Sequence, residues 1–141
     1  MIVSFTDLNV WKKSDEVAHK IFDLSEKFPK IYQFDLTSQI RRSALSIPTN
    51  IAEGSASIHT KDFLQYLNIS RRSLNETRYL VSFASKRGLI ENNHRDKLES
   101  DLQEISKMLN GLIKSVRAKI IKPDHLTLNT VLPYLSCSAS L

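Results

Sequence analysis

The stretch LTSQIRRSALSIPTNIAEG, residues 36–54, combines a helical apolar stripe with a proline that interrupts it. Its apolar side chains recur three or four residues apart, the spacing that places side chains on one face of an α-helix. They are Leu36, Ile40, Ala44, Ile47 and Ile51. Pro48 removes one backbone hydrogen bond and clashes with the preceding turn, at a cost of about 3 kcal/mol or more. We predict a helix over residues 36–53, kinked at Pro48 and stopped by Gly54; the alternative is two short helices meeting near Ser46.

Three other segments show the same periodicity and predict three more helices. The first stripe is Leu8, Trp11, Ala18, Ile21, Ser25 and Phe28. The third helix has Phe63, Leu67, Ser70, Leu74, Thr77, Val81 and Ala84, and the fourth has Leu98, Leu102, Ile105, Leu109, Leu112, Val116 and Ile120. The links are short, and short links favour antiparallel neighbours. The sequence therefore predicts an all-α protein, an antiparallel up-down-up-down four-helix bundle over residues 1–122.

Capping residues set the expected ends of these helices. Asp7 is a candidate N-cap of the first helix and Pro29 its stop, with residues 29–35 as a loop. Thr60 is a candidate N-cap of the third helix and Gly88 its end. The fourth helix is expected from about residue 93 to residue 121. The tail, residues 123–141, lacks helical periodicity, and we expect it to be mobile or docked on a partner.

Composition narrows the class of protein. The chain has 141 residues, enough for one domain with a sizeable core. Three glycines and four prolines are too few turn residues for an all-β fold. The single cysteine, Cys137, excludes an intramolecular disulfide or a four-cysteine zinc site. No apolar run approaches the roughly 18 residues of a membrane span and no signal peptide is recognisable. We expect a cytoplasmic protein without a membrane partner.

Signatures of catalysis are missing from the sequence. None of the nucleophile-elbow, phosphate-loop, dinucleotide-binding or zinc-protease motifs occurs. The four histidines, His19, His59, His94 and His125, lie far apart, and we interpret them as solvated surface residues. The sequence predicts a protein that is not an enzyme and has no cofactor and no metal.

Two faces of the predicted bundle have more polar or apolar surface than one core requires. Opposite its apolar stripe, the second helix carries Gln39, Arg42, Ser46, Asn50 and Glu53 within about 80°. This face predicts hydrogen bonding to another subunit or a nucleic-acid backbone; the alternative is a solvated face on which Arg42 or Glu53 pairs with the third helix. The third helix has a second stripe, Tyr66, Ile69, Leu80 and Phe83. Either it is buried more deeply or it forms an oligomer interface, which we favour.

The net charge of +5 favours polyanionic partners. The candidate nucleic-acid-binding residues are Arg41, Arg42, Arg71, Arg72, Lys86, Arg87, Lys114, Arg117, Lys119 and Lys122. Cations near helix C-termini also stabilise the helix, and charged residues cover solvated faces of any bundle. In antiparallel order the ends of the third and fourth helices would be distant in a monomer, but a ring of subunits could join them into a belt. Few exposed aromatic residues accompany the basic ones, so we expect little base stacking.

Three runs of residues resemble a known family. They are DLNVWKKSDEVAHKIFDLSEKFP at 7–29, SQIRRSALSIPTNIAEG at 38–54 and KDFLQYLNISRRSLNETRYLVSFASKRGLI at 61–90. They resemble the bacterial 23S rRNA-intervening sequence proteins over residues 5–120, and the second run is the most specific. The resemblance implies a small four-helix bundle, often encoded within insertions of large-subunit ribosomal RNA genes. Related bundles form homopentamers, and a similar one, the accessory protein of diversity-generating retroelements, has a proposed role in nucleic-acid binding.

These observations lead to two hypotheses about function. The first is a homo-oligomer, expected to be a pentamer, that binds RNA or DNA electrostatically through its basic surface, with RNA favoured. The second is a protein-interaction scaffold that presents a surface to a partner protein and has no direct role with nucleic acid. A fold alone does not choose between them.

Overall fold

The computed structural model describes residues 4–121, and every regular element within them is helical. The four long helices are α1 (Asn9–Ser25), α2 (Ser38–Ser55), α3 (Thr60–Lys86) and α4 (Asn92–Ile121). Single 3-10 turns at Phe5–Asp7 and Lys30–Tyr32 and a π-helical turn at Gln33–Thr37 complete the elements. The predicted all-α class is confirmed. The predictions for Lys122 and for the tail 123–141 lie outside the described residues.

The helices pack around one apolar core. α1 contacts α2 and α4, and α3 lies against both α2 and α4. The apolar stripe predicted for α2 is buried along its whole length, with Ile40 and Ile51 fully inaccessible to solvent. The matching stripe of α3, from Leu67 to Ala84, is also buried. Because the stripes of neighbouring helices face each other, the periodicity of the sequence alone places the core.

The predicted stripe of α4 needs a correction in its last turns. Ile113 is buried, whereas Leu112 is only partly buried and Ile120 is 37% exposed. Ile113 lies four residues after Leu109 and Leu112 lies three after it, so both spacings fit a helical stripe and the pattern could not separate them. Val116 is the last buried residue of α4 in the described part of the chain, and Ile120 lies one turn beyond it.

Several predicted helix ends are wrong. Asp7 belongs to the first 3-10 turn, and Leu8 occupies the N-cap position of α1 without a side-chain hydrogen bond. α1 ends at Ser25, ahead of Pro29. Residues 29–35, predicted as a loop, are mostly helical turns, and the π-helical turn runs directly into α2. The connection is therefore a continuation of helix rather than an open loop.

The region around Pro48 is one helix. α2 is continuous from Ser38 to Ser55 with Pro48 buried inside it, so the alternative of two short helices is wrong. Gly54 lies within the last turn rather than beyond it. Thr60 is the first residue of α3, and His59 holds the N-cap position without a side-chain cap. In each case the boundary is displaced by one or two residues from the prediction.

Two glycines are required for different reasons. Gly88 ends α3 as predicted, with φ of +75°, and the N–H of Leu89 donates to the carbonyl of Ala84 at 2.9 Å. Gly54 instead permits a close approach of helices, because a Cβ there would lie 2.7 Å from Cβ of Tyr66 and 2.9 Å from Cδ2 of Phe63. Only hydrogen fits at this position of α2.

No helix in the described part of the chain is both long enough and apolar enough to cross a membrane.

Candidate functional surfaces

Small hydroxyl side chains line the contact between α2 and α3. Ser70 donates to the backbone carbonyl of Ile47 at 2.9 Å, and Ser70 itself is fully buried. Two hydroxyl pairs accompany this bond, Ser43 with Thr77 at 3.0 Å and Ser46 with Ser73 at 2.8 Å. We call these five residues, Ser43, Ser46, Ser70, Ser73 and Thr77, the hydroxyl seam. Their small size lets the two helices approach closely while every hydroxyl in the seam has a partner.

The residues around Pro48 supply extra hydrogen bonds to the preceding turn. Proline has no N–H to donate and crowds the turn before it. Thr49 donates to the carbonyl of Leu45 at 2.8 Å, and Asn50 donates to the carbonyl of Ser46 at 2.8 Å. Because Ser70 donates to the carbonyl of Ile47, the three consecutive carbonyls of residues 45–47 all accept side-chain hydrogen bonds. The side chains of Thr49, Asn50 and Ser70, residue types that are unfavourable inside a helix, therefore donate hydrogen bonds to the backbone of α2.

Most of the residues predicted as an oligomer interface line three depressions on the surface of α2 and α3. We call these three depressions together the α2/α3 groove. The first is lined by Tyr32, Asp35, Leu36, Gln39, Tyr79, Leu80, Phe83 and Arg87, the second by Gln39, Arg42, Ser43, Ser46, Ser73 and Glu76, and the third by Ser57, Asp62, Gln65, Tyr66 and Ile69. All predicted interface residues except Asn50 and Glu53 line it.

Burial divides these predicted interface residues. Leu80 is 6% exposed, so deeper burial explains it without a partner. Phe83 is 41% exposed, while Tyr66 and Ile69 are partly buried. Asn50 bonds within α2, to both the carbonyl and the hydroxyl of Ser46. Arg42 and Glu53 are exposed and, within residues 4–121, form no ion pair with α3.

Charge in the groove is mixed. Asp35 and Arg87 line the first depression, Arg42 and Glu76 line the second, and Asp62 lines the third. The groove also has more exposed aromatic surface than expected. Tyr79 is 65% exposed, and its ring centroid lies 6.3 Å from that of Phe83. A surface with both signs of charge and apolar side chains suits contact with protein better than contact with a row of phosphates.

Two of the predicted nucleic-acid-binding residues have partners within the chain. Arg41 is partly buried; its Nε donates to Oγ of Ser25 at 2.7 Å, and a second nitrogen donates to the carbonyl of Phe22 at 3.3 Å. Its guanidinium also lies 5.0 Å from the centre of the Phe22 ring. Arg41 thus fastens α2 to the last turn of α1. Arg87 donates to the hydroxyl of Tyr32 at 3.1 Å, which joins the end of α3 to the α1–α2 connection.

The remaining predicted cations are exposed. They are Arg42, Arg71, Arg72, Lys86, Lys114, Arg117 and Lys119. Within residues 4–121 none of them forms an ion pair. They are spread over α2, α3 and α4. Lys119 lines a cavity with Leu8, at the start of α1, whereas Arg87 contacts Tyr32, after the end of α1.

The second half of α4 is the most uniformly basic surface. From Ile105 to Ile121 the sequence has no acidic residue, and we call this segment the α4 basic half. Lys107, which was not among the predicted cations, lies two turns before Lys114 and is exposed. Lys107, Lys114 and Arg117 share an arc of about 80° at 3.6 residues per turn. The seven-residue spacing of the two lysines is the signal that could have found Lys107.

Asp101 is a buried carboxylate that sequence reasoning also missed. It is 1% exposed and lies on α4 between two buried leucines of the apolar stripe. Three lysines surround it, Lys13 at 3.0 Å, Lys20 at 3.3 Å and Lys97 at 3.0 Å. We call these four residues the Asp101 cluster. Lys13 and Lys20 come from α1, so the cluster joins α1 to α4.

The ionisation of the Asp101 cluster follows from its geometry. Burial raises the pKa of the Asp101 carboxyl, but hydrogen bonds from Lys97, Lys13 and Lys20 outweigh burial and lower it below its ordinary value. The hydrogen bond to Asp101 raises the pKa of Lys13. Lys20 also bonds Glu16 at 2.5 Å, and this bond is the main reason that its pKa is raised. Asp101, Lys13 and Lys20 are therefore held in their charged forms.

These features define an all-helical bundle with a hydroxyl-lined α2–α3 contact and exposed basic side chains. The description "23S rRNA-intervening sequence protein" belongs to the family that matches residues 6–111. The chain therefore belongs to that family, and the resemblance stated from the sequence is confirmed.

A solved structure extends the comparison. It is the crystal structure of a protein with unknown function from the S23 ribosomal protein family of Bacteroides thetaiotaomicron. The two chains are 32% identical, with 74% of this chain and 98% of that chain covered and a TM-score of 0.70. No curated protein matches the chain.

Proposed function

We propose that this protein is a non-enzymatic homo-oligomer that binds RNA electrostatically through exposed basic side chains, above all those of the α4 basic half. One observation carries the proposal. Lys107, Lys114 and Arg117 are exposed on one side of α4, and no acidic residue occurs between Ile105 and Ile121. The three lysines of the Asp101 cluster, in contrast, form ion pairs with the carboxylate. Cations without an intramolecular partner are the ones that can displace counterions from phosphates.

RNA is favoured over DNA because the family is described by its relation to 23S rRNA. Arg71, Arg72, Arg42 and Lys86 add exposed charge on the other helices. In an antiparallel bundle Lys86, at the end of α3, would be distant from the end of α4, so a ring of subunits would be needed to place these residues on one belt. Five subunits is the number that the resemblance implies.

We infer an up-down-up-down arrangement of the helices, supported by the order of contacts between them. Ser43 bonds Thr77, Ser46 bonds Ser73, and Ile47 accepts from Ser70. Rising positions on α2 thus meet falling positions on α3. On α1 and α4, Lys13 bonds Asp101, while Leu8 shares a cavity with Val116 and Lys119. A kink at Pro48 remains part of the proposal, and the side-chain hydrogen bonds to the preceding turn support it.

The non-enzymatic role is supported by the chemistry of the buried polar residues. The hydroxyls of the seam bond helix carbonyls or each other, as at Ser70 and Thr77. Asp101, the buried carboxylate, is neutralised by lysines and lies between helices. Such groups hold helices together, and these two kinds of buried polar group within residues 4–121 are engaged with each other, with lysines or with the backbone rather than poised as a proton donor or nucleophile. The role that we propose needs only charge on the outside of the bundle.

Titration of a labelled structured RNA at two salt concentrations tests the proposal. The logarithm of the affinity should fall linearly with the logarithm of salt, with a slope set by the number of phosphates contacted. The double substitution Lys114→Gln with Arg117→Gln should weaken binding and reduce the slope by about one for each phosphate that is no longer neutralised. Its matched control, Lys27→Gln with Lys30→Gln, removes the same charge from exposed positions outside the α4 basic half.

Equal losses of affinity in both double variants would show that only net charge matters and would reject the α4 basic half as the site. No binding by folded protein at low salt would reject RNA binding altogether. In that case the scaffold hypothesis, favoured by the mixed charge of the α2/α3 groove, would take its place. The 260/280 nm absorbance ratio of purified protein before and after a high-salt wash separates the two in one step, since bound RNA raises the ratio until salt removes it.

A further inference from the structure

The first depression of the α2/α3 groove is a cavity with aromatic side chains on one side and polar side chains on the other. Tyr79 and Phe83, four residues apart on α3, supply two rings whose centroids lie 6.3 Å apart. Asp35 and Gln39, also four residues apart, line the same cavity from the π-helical turn and α2. Its volume is about 410 Å³, within the range of ~300–1,000 Å³ typical of small-molecule sites. We call it the aromatic cavity.

The aromatic cavity has a buried apolar floor and an open rim. Leu36 and Leu80 line it and are only 7% and 6% exposed. Tyr79, in contrast, is 65% exposed, and Phe83 is 41% exposed. An aromatic ring that packs in a core is mostly covered, so these two rings present a face that is available to a flat ligand.

The polar side chains of the cavity have hydrogen-bonding capacity left. Oδ1 of Asp35 accepts from the N–H of Leu36, but a carboxylate has about four acceptor sites. Within residues 4–121 Asp35 forms no ion pair, although Arg87 lines the same cavity. Arg87 uses one nitrogen to donate to the hydroxyl of Tyr32 and has further N–H donors. Gln39 is exposed, and its amide can donate and accept.

An unpaired guanine matches this combination of groups. Single-stranded bases in RNA are bound by stacking on aromatic side chains and by hydrogen bonds to their edges. Guanine presents two neighbouring donors, N1–H and the N2 amino group, and one carboxylate can accept from both. Adenine has an acceptor at N1, which a carboxylate repels. Guanine also has O6 as an acceptor, which an amide N–H can reach.

We propose that the aromatic cavity binds one unstacked guanine base, with its face on Tyr79 and Phe83 and its two donors on Asp35. Gln39 donates to O6, and Arg87 contacts the phosphate attached to the base. The inference rests on the proposed RNA binding for the source of the base and adds a contact that selects one base. The mixed charge of the cavity, which suits a row of phosphates poorly, suits a single base.

Two kinds of ligand distinguish the possible sources of the base. The first is a labelled RNA hairpin with one unpaired guanine in its loop, compared by fluorescence anisotropy with the same hairpin carrying adenine there. The second is guanosine monophosphate, compared with adenosine monophosphate by isothermal titration calorimetry. The guanine hairpin should bind about 5- to 150-fold more tightly than the adenine hairpin, the range expected of one bidentate contact to a base.

Tyr79→Ala tests the stacking contact, at a side chain that the core does not need. It should weaken binding of the guanine hairpin about 5- to 150-fold, the range of one base–aromatic stack. The dependence of affinity on salt should stay the same, because no phosphate contact is lost. The matched control is Phe34→Ala, which removes a ring that is 91% exposed and does not line the cavity. It should bind as the wild type does.

Asp35→Asn tests how the edge of the base is read. The amide oxygen keeps an acceptor for the N–H of Leu36, but the NH₂ group donates to adenine N1 and opposes the guanine donors. The preference for guanine over adenine should therefore disappear. The control is Asp23→Asn, which removes the same charge from an exposed position of α1 and should keep the preference. Circular dichroism of each variant reports whether the helices are intact.

Each outcome supports or overturns the proposal. If both hairpins bind the wild type equally, or if Phe34→Ala weakens binding as much as Tyr79→Ala, the cavity is not a guanine site, while RNA binding through the α4 basic half stands. If guanosine monophosphate binds and depends on Tyr79 and Asp35 while no RNA binds, the cavity takes a free nucleotide and the proposed RNA binding fails. If folded protein binds neither ligand, both proposals are wrong.

Discussion

The α2–α3 pair and the α1–α4 pair are held together by different polar chemistry. α2 and α3 meet through serine and threonine hydroxyls that bond each other or a helix carbonyl, as Ser70 does with Ile47. α1 and α4 are joined by a buried carboxylate, Asp101, which long lysine side chains reach from both helices. Short hydroxyls require helices in close contact, whereas lysines span a wider gap. The first contact should therefore be sensitive to side-chain volume and the second to charge.

The difference also bears on function. The hydroxyl seam contains no carboxylate that could pair with a cation. Arg42 on α2 and Arg72 on α3 are both exposed. The Asp101 cluster holds three lysines at one buried carboxylate, which cancels one of their positive charges. Counting lysines therefore overstates the charge that is available to a partner near α1. In the role that we propose, the RNA contact therefore lies on the α4 basic half rather than at the Asp101 cluster.

The largest effect is expected from Gly54→Val in the α2–α3 contact. A Cβ at this position would lie 2.7 Å from Cβ of Tyr66, an atom close to the backbone that cannot turn aside. Overpacking and the poor helix propensity of valine together should lower the free energy of unfolding by about 3 kcal/mol. Urea denaturation followed by circular dichroism, at one fixed protein concentration, measures the loss.

The control for this prediction is Gly111→Ala on α4. An added Cβ there meets no atom within 4 Å, and Gly111 is exposed within the helix. Alanine should stabilise the helix by up to about 1 kcal/mol. If Gly54→Val were tolerated as well as Gly111→Ala, the close approach of α2 and α3 would be contradicted.

Periodicity predicted most of the fold. The stripe of α2 is buried as expected, as is that of α3 apart from the partly buried Phe63, and Gly88 ends α3 through its positive φ. The ends of the helices were harder to predict. Asp7 and Thr60 are good capping residues, but the N-cap positions are held by the adjacent Leu8 and His59. The helical turns at 29–37 carry no stripe of their own, so their residues resembled a loop.

The surfaces were predictable only in part. Gln39, Arg42 and Ser46 of the polar face of α2 and the second stripe of α3 line the three depressions on α2 and α3, but Asn50 and Glu53 do not. Which of these side chains bond internally depends on distances between helices, and the sequence does not contain them. Arg41 is the clearest case: its partners are Ser25 and Phe22, on another helix. Asp101 was missed because one charged residue in an apolar stripe looks like a break in the pattern.

A smaller effect is expected from Asp101→Asn in the α1–α4 contact. The substitution keeps the shape of the side chain and removes the charge that three lysines contact. Hydrogen bonds between charged groups contribute about 1.5–3 kcal/mol, and the lysines here can turn towards water, being 22%, 36% and 65% exposed. The free energy of unfolding should fall by about 2 kcal/mol. The control is Glu99→Gln, which breaks the more exposed ion pair with Arg78, whose side chains are 38% and 42% exposed, and should cost less than about 1 kcal/mol. Equal losses would mean that burial of Asp101 adds nothing.

The pH dependence of the same contact should be the smallest effect and the most specific. The pKa of Asp101 is lowered in the folded protein, so the carboxylate contributes stability that is complete above its unfolded pKa of about 3.9. That contribution is lost as pH falls through the folded pKa, because a protonated Asp101 no longer pairs with the lysines. The pKa values of Lys13 and Lys20 are raised, so their contribution is complete below about pH 10.4 and is lost only at more alkaline pH.

The difference in unfolding free energy between wild type and Asp101→Asn isolates this contact from the other acidic groups, which titrate in both proteins. It should be constant between about pH 5 and pH 9 and should shrink below about pH 4. The hydroxyl seam contains no group that ionises in this range, so a change at Ser70, such as Ser70→Ala, should give a difference from wild type that is independent of pH. If the difference in unfolding free energy between wild type and Asp101→Asn were also independent of pH down to pH 2, Asp101 would not act as a charged partner of the three lysines. The two helix contacts would then differ only in how much each stabilises the fold.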